Sequence, residues 1–596
     1  MNALLSGYTA KINELNTGIA AQQKKINGIF YTRSVLFIVL FAGFFMLVQA
    51  HVTLAITLIP VTVILFLILL NRELAISRQI SFLKNLMKAN QVEIDLLHNR
   101  YEKFNPGNEF IDKQHHFISD LDIFGRRSIF QLLNRTSTYS GRMKLAGWLT
   151  VPFLQKEEIK KRQKAISELS EKKDWSHHFI ALGFTSQEQA TDKDVIENWL
   201  EEETLFSNPV FKIIGIVLPV ATIAALLLFI FNVIPSLAFD LLFFLQLSIT
   251  GKFTKKISRI HDRLSRKFDS IDKYLSLITH IEAEGFKSEL LNQLKQELKD
   301  EKVSAGPSIL QLKKSVDKLD FRMNIVVAVL LNGILLWDIN IVKRIEEWRT
   351  SNKKSFLKWI SIIGEFDAFI SVGLYAANNP AFVMPEIETD TFIIDAQQVG
   401  HPLINEKKLV RNDYHIEGLP KIDLLTGANM AGKSTFLRTI GVNLILAMIG
   451  APVCAEKFRF SPILLFTSLR TNDSLQENES FFYAELKRLG MLVKDYENGQ
   501  RVFFLLDEIL KGTNSKDQHI GSEELIKKIV QLNGAGIVAT HDVELSVLSN
   551  QFPESVRNLC FEITISNDKL HFDYKVKDGV CATMNASFLM KKMGII

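Results

Sequence analysis

Residues Gly427 to Thr435 read Gly-Ala-Asn-Met-Ala-Gly-Lys-Ser-Thr, directly after a short, largely apolar segment, Ile422–Leu425, that predicts a strand. A glycine-rich turn lets successive backbone N–H groups point inward and wrap phosphate oxygens. Lys433 then reaches the β- and γ-phosphates, and the Ser434 hydroxyl is placed to ligate Mg²⁺. The run Phe436–Ile449 is apolar at helical spacing, so the loop also opens a helix whose positive end faces the anion. The bare pattern arises by chance; the order strand, loop, helix makes chance a poor explanation. The whole loop, Gly427, Ala428, Asn429, Met430, Ala431, Gly432, Lys433, Ser434 and Thr435, is read as a nucleoside triphosphate site.

Such a loop needs a parallel sheet around it, and the last third of the chain supplies the pattern. From about Asp395, short β-rich runs alternate with helical ones. Val502–Leu506 is an apolar strand ending in Asp507-Glu508. A carboxylate at a strand end can hold Mg²⁺ while its neighbour orients and deprotonates an attacking water. Asp507 is assigned to the metal and Glu508 to general-base work. An isolated Asp-Glu pair is ordinarily a solvated turn; its place after a strand, downstream of the loop, argues otherwise. Ile537–Thr540 predicts a further buried strand leading into His541, placed to sense the γ-phosphate or position water.

The hydrophobic residues are unevenly distributed. Ser34–Ala50 and Val52–Leu70 are nearly uninterrupted apolar runs joined at His51, and Ile213–Phe231 and Ile234–Ile249 form a second pair. Each is about long enough to cross a bilayer core. Lys24, Lys25, Arg33, Arg72, Arg78 and Lys84 flank the first pair; Lys212, Lys252, Lys255, Lys256 and Arg259 flank the second; the connecting turns carry no Lys or Arg. The asymmetry predicts two hairpins dipping in from the cytoplasm, with both termini cytoplasmic, and the first run lacks the features of a removable signal peptide. Asp240, a few residues past Pro235, is read as lying near the far interface. A shorter run, Ile325–Trp337, interrupted by Asn332, predicts a buried helix of a soluble domain.

Between these landmarks the chain reads as helical. Ile76, Ile80, Leu83, Met87, Ile94, Leu97 and Tyr101 recur at helical steps until Asn105-Pro106-Gly107 breaks the pattern. A helical segment then runs to about Trp199, interrupted near Thr150–Pro152, and residues 252–380 are mostly helical with a turn at Ser304–Pro307. At 596 residues the chain accommodates several domains, and a net charge of +5 is too mild to argue for nucleic acid. Cys454, Cys560 and Cys581 have neither metal-ligand spacing nor a disulfide framework, which fits a reducing compartment.

Taken together, these motifs resemble the MutS family of ATPases. The loop departs from the family's mainly at Ala428, where proline is expected. Ser480-Phe481-Phe482-Tyr483-Ala484-Glu485 resembles the segment that reaches across a dimer to the partner's nucleotide, which implies that Ser480 is a γ-phosphate contact in trans. Asp507-Glu508 with Gly512-Thr513 and Asp517 resembles the family's metal-site strand and following loop, and Ala539-Thr540-His541 its histidine motif. Upstream, Leu132–Leu149, with Arg135-Thr136-Ser137-Thr138 and Gly141-Arg142, followed by Arg162-Gln163, is similar to the core domain. Gly364-Glu365-Phe366-Asp367 resembles the last lever helix, and His401-Pro402 the start of the ATPase domain. The resemblance covers most of the soluble chain. The amino-terminal mismatch-reading domain is expected to be missing, and Leu409 or Val410 stands where an aromatic stacks on adenine.

The apolar runs and the resemblance together predict a multidomain fold: an amino-terminal cytosolic helix (1–33), a transmembrane hairpin (34–71), a core helical domain (72–207), a second hairpin (208–251), a lever-type helical domain (252–394) and an α/β P-loop ATPase domain (395–596). The resemblance implies ATP and Mg²⁺ as cofactors, hydrolysis at composite homodimer sites, and DNA as a partner. The hairpins add membrane lipid as a partner and the inner membrane as the location. The cluster Lys255, Lys256, Arg259, Arg263, Arg266 and Lys267 fits either a phosphate backbone or anionic lipid. The alternatives are a nucleotide-gated membrane scaffold, or a transporter-type ATPase without DNA binding. Against the transporter stand the minimal loops, the nearly unbroken apolarity of the runs and the lack of a Leu-Ser-Gly-Gly-Gln signature.

Overall fold

The computed structural model describes residues 2–50, 52–186, 190–299, 304–428, 431–469, 481–566 and 569–581. Two long helices come first, α1 (Asn2–Ala50) and α2 (Val52–Leu97), packed on each other. The polar start of the chain and the first apolar run thus form one unbroken helix. Side chains of residues 42–60 lie outside the described ones. The amphipathic stretch of α2 buries Ile80, Leu86, Ala89 and Leu96, largely against α1 and the helix 173–183.

The helical body follows: α3 (Ile129–Leu133), α4 (Tyr139–Thr150), α5 (Lys156–Glu171), α6 (Lys173–Gly183), α7 (Ala190–Glu201), α8 (Pro209–Ile230), α9 (Leu237–Ala283), α10 (Glu289–Glu297), α11 (Ala305–Leu319), α12 (Ile325–Leu335) and α13 (Trp337–Asn378). The helical segment expected after Gly107 starts only at α3; the stretch before it is irregular apart from a turn at Asn108–Phe110. The expected turn at Ser304–Pro307 is instead the start of α11, where proline costs little because the first helical N–H groups have no intrahelical partner.

Among the described residues, three stretches are long and apolar enough to cross a membrane: Pro209–Ile230, Leu237–Arg263 and Trp337–Asn378. The third is 72% buried inside the protein over its most apolar window, so its hydrophobicity serves the core. The first two expose apolar side chains such as Ile213, Ile216, Val220, Leu241 and Phe244. Asp240 falls in the first turn of α9, where a carboxylate suits the positive end of the helix. The helix expected to be buried, Ile325–Trp337, is not: Ile325 is 76% and Val326 64% exposed. Its far side packs on α8 and α9, and the interrupting Asn332 is a joint, its Oδ1 accepting from Asp338 N at 2.9 Å.

Motifs quoted from the core and lever turn out to pack on one another. Asp367 of α13, fully buried, accepts from Ser137 N, Thr138 N and Thr138 Oγ1 at the start of α4 (2.7–2.9 Å). A Cβ at Gly141 would clash with Asp367, and one at Gly364 with Ser140, which explains both glycines. Arg135 is bidentate to the buried Glu93 of α2 (3.1 and 3.2 Å), whose carboxylate also takes Asn378 at the end of α13.

The carboxyl-terminal domain has two sheets. The strands are β1 (Glu386–Ile387), β2 (Ile393–Val399), β3 (Asn412–Glu417), β4 (Lys421–Thr426), β5 (Lys457–Phe460), β6 (Leu464–Ser468), β7 (Val502–Asp507), β8 (Ala535–Thr540), β9 (Val556–Ser566) and β10 (Lys569–Asp578). The main sheet has the order β10-β9-β4-β8-β7-β6, parallel except for β10. A smaller mixed sheet, β1-β5-β2-β3, was not expected from the sequence. The helices α14 (Lys433–Met448), α15 (Phe481–Glu497), α16 (Ser515–Gln531) and the short α17 (Leu548–Gln551) complete the domain. On β7, Phe503 and Leu505 join the core shared with α14, while Phe504 and Leu506 join that of α15 and α16. A parallel strand covered on both faces must be apolar throughout, and β7 is.

Candidate nucleotide site

The register of three adjacent strands builds the site. β4 pairs with β8 up to Thr426 and Thr540, and Asp507 of β7 lies beside Ala539 of β8. Their carboxyl ends therefore deliver the phosphate loop, Asp507-Glu508 and His541 to one edge of the sheet, where open α/β sheets bind ligands. Gly427 and Gly432 have φ of +146° and +106°, which an L side chain rarely adopts. At Gly427 a Cβ would also meet Phe561 O at 2.9 Å, so β9 crowds the loop from behind. Asn429 and Met430 lie outside the described residues, as does Ser480.

Lys433 opens α14 and is buried; its Nζ donates to Gly427 O at 2.5 Å and lies 3.3 Å from His541 Nε2. Burial lowers its pKa, opposed by the neighbouring carboxylates of Asp507 and Glu508. The Ser434 hydroxyl donates to Asp507 Oδ2. The other Asp507 oxygen, Oδ1, is buried and has no hydrogen-bond partner among the described residues. Burial pushes this carboxyl above the usual carboxylate range, with Ser434 pulling the other way. A desolvated carboxylate with an unused lone pair beside a hydroxyl is an oxygen donor set suited to a hard divalent cation, so these residues fit Mg²⁺.

Glu508 sits at φ +52°, a left-handed conformation costly for an L residue, with its N–H anchored to Ala539 O at 2.8 Å. Its Oε1 is 2.7 Å from His541 Nε2 and its Oε2 is 2.5 Å from Lys511 Nζ. Burial alone would raise its pKa, but those two partners outweigh it and bring the carboxyl down to about 2. The strained turn is braced from α15: Glu485, buried, accepts from Leu510 N at 2.5 Å, and Leu510 itself has φ +61°. Neither Lys511 nor the bracing role of Glu485 was singled out from the sequence; a lysine three residues past the acidic pair was the available signal.

Beside the loop lies a cavity of about 470 Å³. Leu409 and Val410 line it, and so do Phe436 and Tyr574. Tyr574 was missed. It lies at φ +53° in the register shift between Phe572 and Val576 on β10. The shift turns its ring toward the phosphate loop, where a Cβ at Gly432 would meet Tyr574 Cδ1 at 3.2 Å. Asn412 holds the bulge from β3, donating to Tyr574 O at 3.0 Å and accepting from Val576 N at 2.9 Å. His401, also on the cavity, is brought down to about 4 by burial and Arg438, so it presents a neutral ring.

The helical body and the site domain share one hydrophobic core and are joined by specific polar contacts as well. Arg162 of α5, buried, lies 3.8 Å over the Trp148 ring, and its Nε donates to Ile449 O at the end of α14. Arg488 of α15 donates to His116 O at 3.0 Å and to Asp120 Oδ2, which also takes the Thr467 hydroxyl.

Two family models match the chain: MutS domain III over residues 114–372 and MutS domain V over residues 423–591. Among curated relatives, a DNA mismatch repair protein MutS of Leptospira interrogans is 31% identical over 251 residues, 40% of this chain and 29% of the relative. A DNA mismatch repair protein MutS of Thermotoga maritima is 32% identical over 188 residues, 30% of this chain and 23% of the relative. The human MutS protein homolog 4 is 30% identical over 216 residues, 34% of this chain and 22% of the relative. The chain thus spans less than a third of the length of these relatives.

Proposed function

Because the chain belongs to the MutS family, we propose that it is a Mg²⁺-dependent ATPase that works as a homodimer, is anchored in the cell membrane by apolar hairpins and binds DNA. The observation that carries the ATPase reading is the convergence of Lys433, Ser434, Asp507, Glu508 and His541 at one sheet edge.

In this reading the loop N–H groups and the Lys433 ammonium hold the β- and γ-phosphates, and the cavity beside Tyr574 takes the base. Ser434 and Asp507 hold Mg²⁺, which neutralises phosphate charge when bound. Glu508 accepts a hydrogen bond from the attacking water and aligns it with the γ-phosphorus. Held near pKa 2, Glu508 is a weak base toward free water; it takes the proton late, once the water oxygen has begun to bond to phosphorus and become acidic. His541, between Glu508 and Lys433, links the water-orienting carboxylate to the phosphate-bound ammonium. The products are ADP and phosphate. Ser480 is proposed to contact the partner's γ-phosphate. Mixing Ser480→Ala with Lys433→Ala chains should restore one working site per mixed dimer. Mixtures no more active than either parent would rule out the trans role.

Anchoring is supported by the exposed aliphatic side chains of α8 and the first part of α9, with the soluble domains on the cytoplasmic side of the inner membrane. The exposed Lys252, Lys255, Lys256 and Arg259 follow the apolar stretch of α9 directly, which favours lipid headgroups over a nucleic-acid groove for this cluster. That observation favours a second reading, a nucleotide-gated scaffold that does not bind DNA. DNA binding by the solubilised dimer, measured against salt with and without ATP, separates the two: binding that weakens steeply with salt supports the first, and none at low salt supports the second.

A further inference from the structure

We propose that α12, a helix outside both predicted hairpins, is a third membrane element, lying in the cytoplasmic leaflet with its outer stripe in contact with lipid. The proposal rests on the anchored reading above and adds to it a specific lipid-facing surface.

The stripe is Ile325, Val326, Val329 and Leu330, all exposed, preceded by the exposed Phe321 and Met323. Spacings of one, three and four residues put the four on one face of the helix. Away from the stripe, Val327, Ala328, Leu331 and Ile334 are half-buried, and the last turn of the helix is committed to protein. Gly333 abuts the Phe243 ring with no room for a Cβ, and Asn332 is buried in the joint to α13. A soluble protein seldom leaves such a continuous aliphatic stripe in water, and here it adjoins the exposed aliphatic surface of α8 and α9.

Contacts along α9 set its depth. Arg322, just before α12, donates to Ser258 Oγ at 3.1 Å, among the cations Lys255, Lys256 and Arg259. Gly333, near its end, meets Phe243, well inside the apolar run. The helix therefore spans from the charged border of α9 into its apolar part. Its 11 residues measure about 16 Å, roughly half of a ~30 Å hydrocarbon core, so it reaches one leaflet and does not cross. The border is equipped for headgroups: Lys314 and Lys318 are exposed on α11. Trp337 stacks on Phe321 and donates its ring N–H to Lys318 O at 2.8 Å, the placement favoured by interfacial tryptophans. Cations of this kind complement an anionic leaflet, which selects lipid over a second copy of this basic surface.

The test uses the full chain in proteoliposomes of phosphatidylcholine and phosphatidylglycerol. Single cysteines at Val326→Cys and Leu330→Cys carry an environment-sensitive fluorophore, with Ile216→Cys on α8 and Val547→Cys on the ATPase domain as references. The unsubstituted chain, whose three cysteines are buried, sets the labelling background. Lipids spin-labelled near the headgroup should quench the α12 positions at least about twofold, and more than lipids labelled near the chain end. Val547 should be unaffected. Quenching at Ile216 with none at Val326 and Leu330 overturns the α12 proposal and leaves the hairpin reading standing. No quenching at Ile216 either removes the anchored reading, and this proposal with it.

Discussion

The nucleotide site and the α8–α9–α12 cluster solve opposite problems. At the site, charges are taken out of water and set against partners: Lys433 is buried against Gly427 O, Glu508 is clamped by His541 and Lys511, and Asp507 takes the Ser434 hydroxyl while one oxygen stays uncommitted. In the helical cluster, aliphatic side chains are put outside and the polar ones inside. Gln246, fully buried, donates to Thr222 Oγ1 at 2.5 Å between α9 and α8. The same physics explains both inversions. A buried polar group needs a partner, and a broad apolar surface costs free energy wherever it meets water. Position therefore decides what a side chain is worth, and that can be tested by swapping like for like.

The largest effect belongs to the site. Glu508→Gln should lower the hydrolysis rate by roughly 10²–10⁴-fold, the usual range for a positioned acid or base, while ATP binding persists. Phosphate release and equilibrium nucleotide binding on the same sample check both halves; near-normal turnover would remove Glu508 from the chemistry.

Next come two isoleucines of the helical region. Ile257 of α9 is completely buried, and Ile257→Ala should destabilise the protein by about 2–4 kcal/mol in detergent, as cavity-forming substitutions do. Its outward counterpart is the last prediction below.

Tyr574→Ala should weaken ATP binding about tenfold, or ~1.4 kcal/mol, by removing an aromatic face from the cavity. An unchanged dissociation constant would move the base elsewhere. A smaller effect concerns pH. Glu508 has a folded-state pKa of about 2, below the ordinary glutamate value of 4.5, so its contribution to stability is present above pH 4.5 and fades as pH falls toward 2. The thermal stability of wild type relative to Glu508→Gln should accordingly shrink over that window; a gap that widened on acidification would contradict the ion pairs with Lys511 and His541. Smallest of all is Ile216→Ala on α8, where the side chain is exposed: a change beyond about 0.5 kcal/mol in detergent would mean that this face packs on protein.

Much of the site was legible because its parts are short-range. The loop must be glycine-rich where φ is positive, Lys433 and Ser434 must begin the helix, and an apolar strand must end in Asp507-Glu508; each requirement is met within a few consecutive residues. Tyr574 escaped notice for the opposite reason. It is about 140 residues beyond Lys433 and reaches the loop only through a bulge on β10 held by Asn412 of β3, so no local pattern announces it. The bracing of Leu510 by Glu485, from a different helix, is of the same kind.

The apolar runs draw the line most clearly. Composition alone establishes that Pro209–Ile230, Ile325–Leu335 and the later part of α13 are hydrophobic helices, since length and side-chain type suffice for that. It does not tell which of them faces solvent. Ile216 and Ile257, or Val326 and Val342, are chemically the same residue; one of each pair is exposed and the other buried. What a helix buries depends on the neighbours that packing brings to it, and those neighbours lie tens to hundreds of residues away. The chain's own letters thus dictated the phosphate loop and the helices, while tertiary packing alone chose which greasy face stays outside, because burial is a property of the assembled surface and not of any segment.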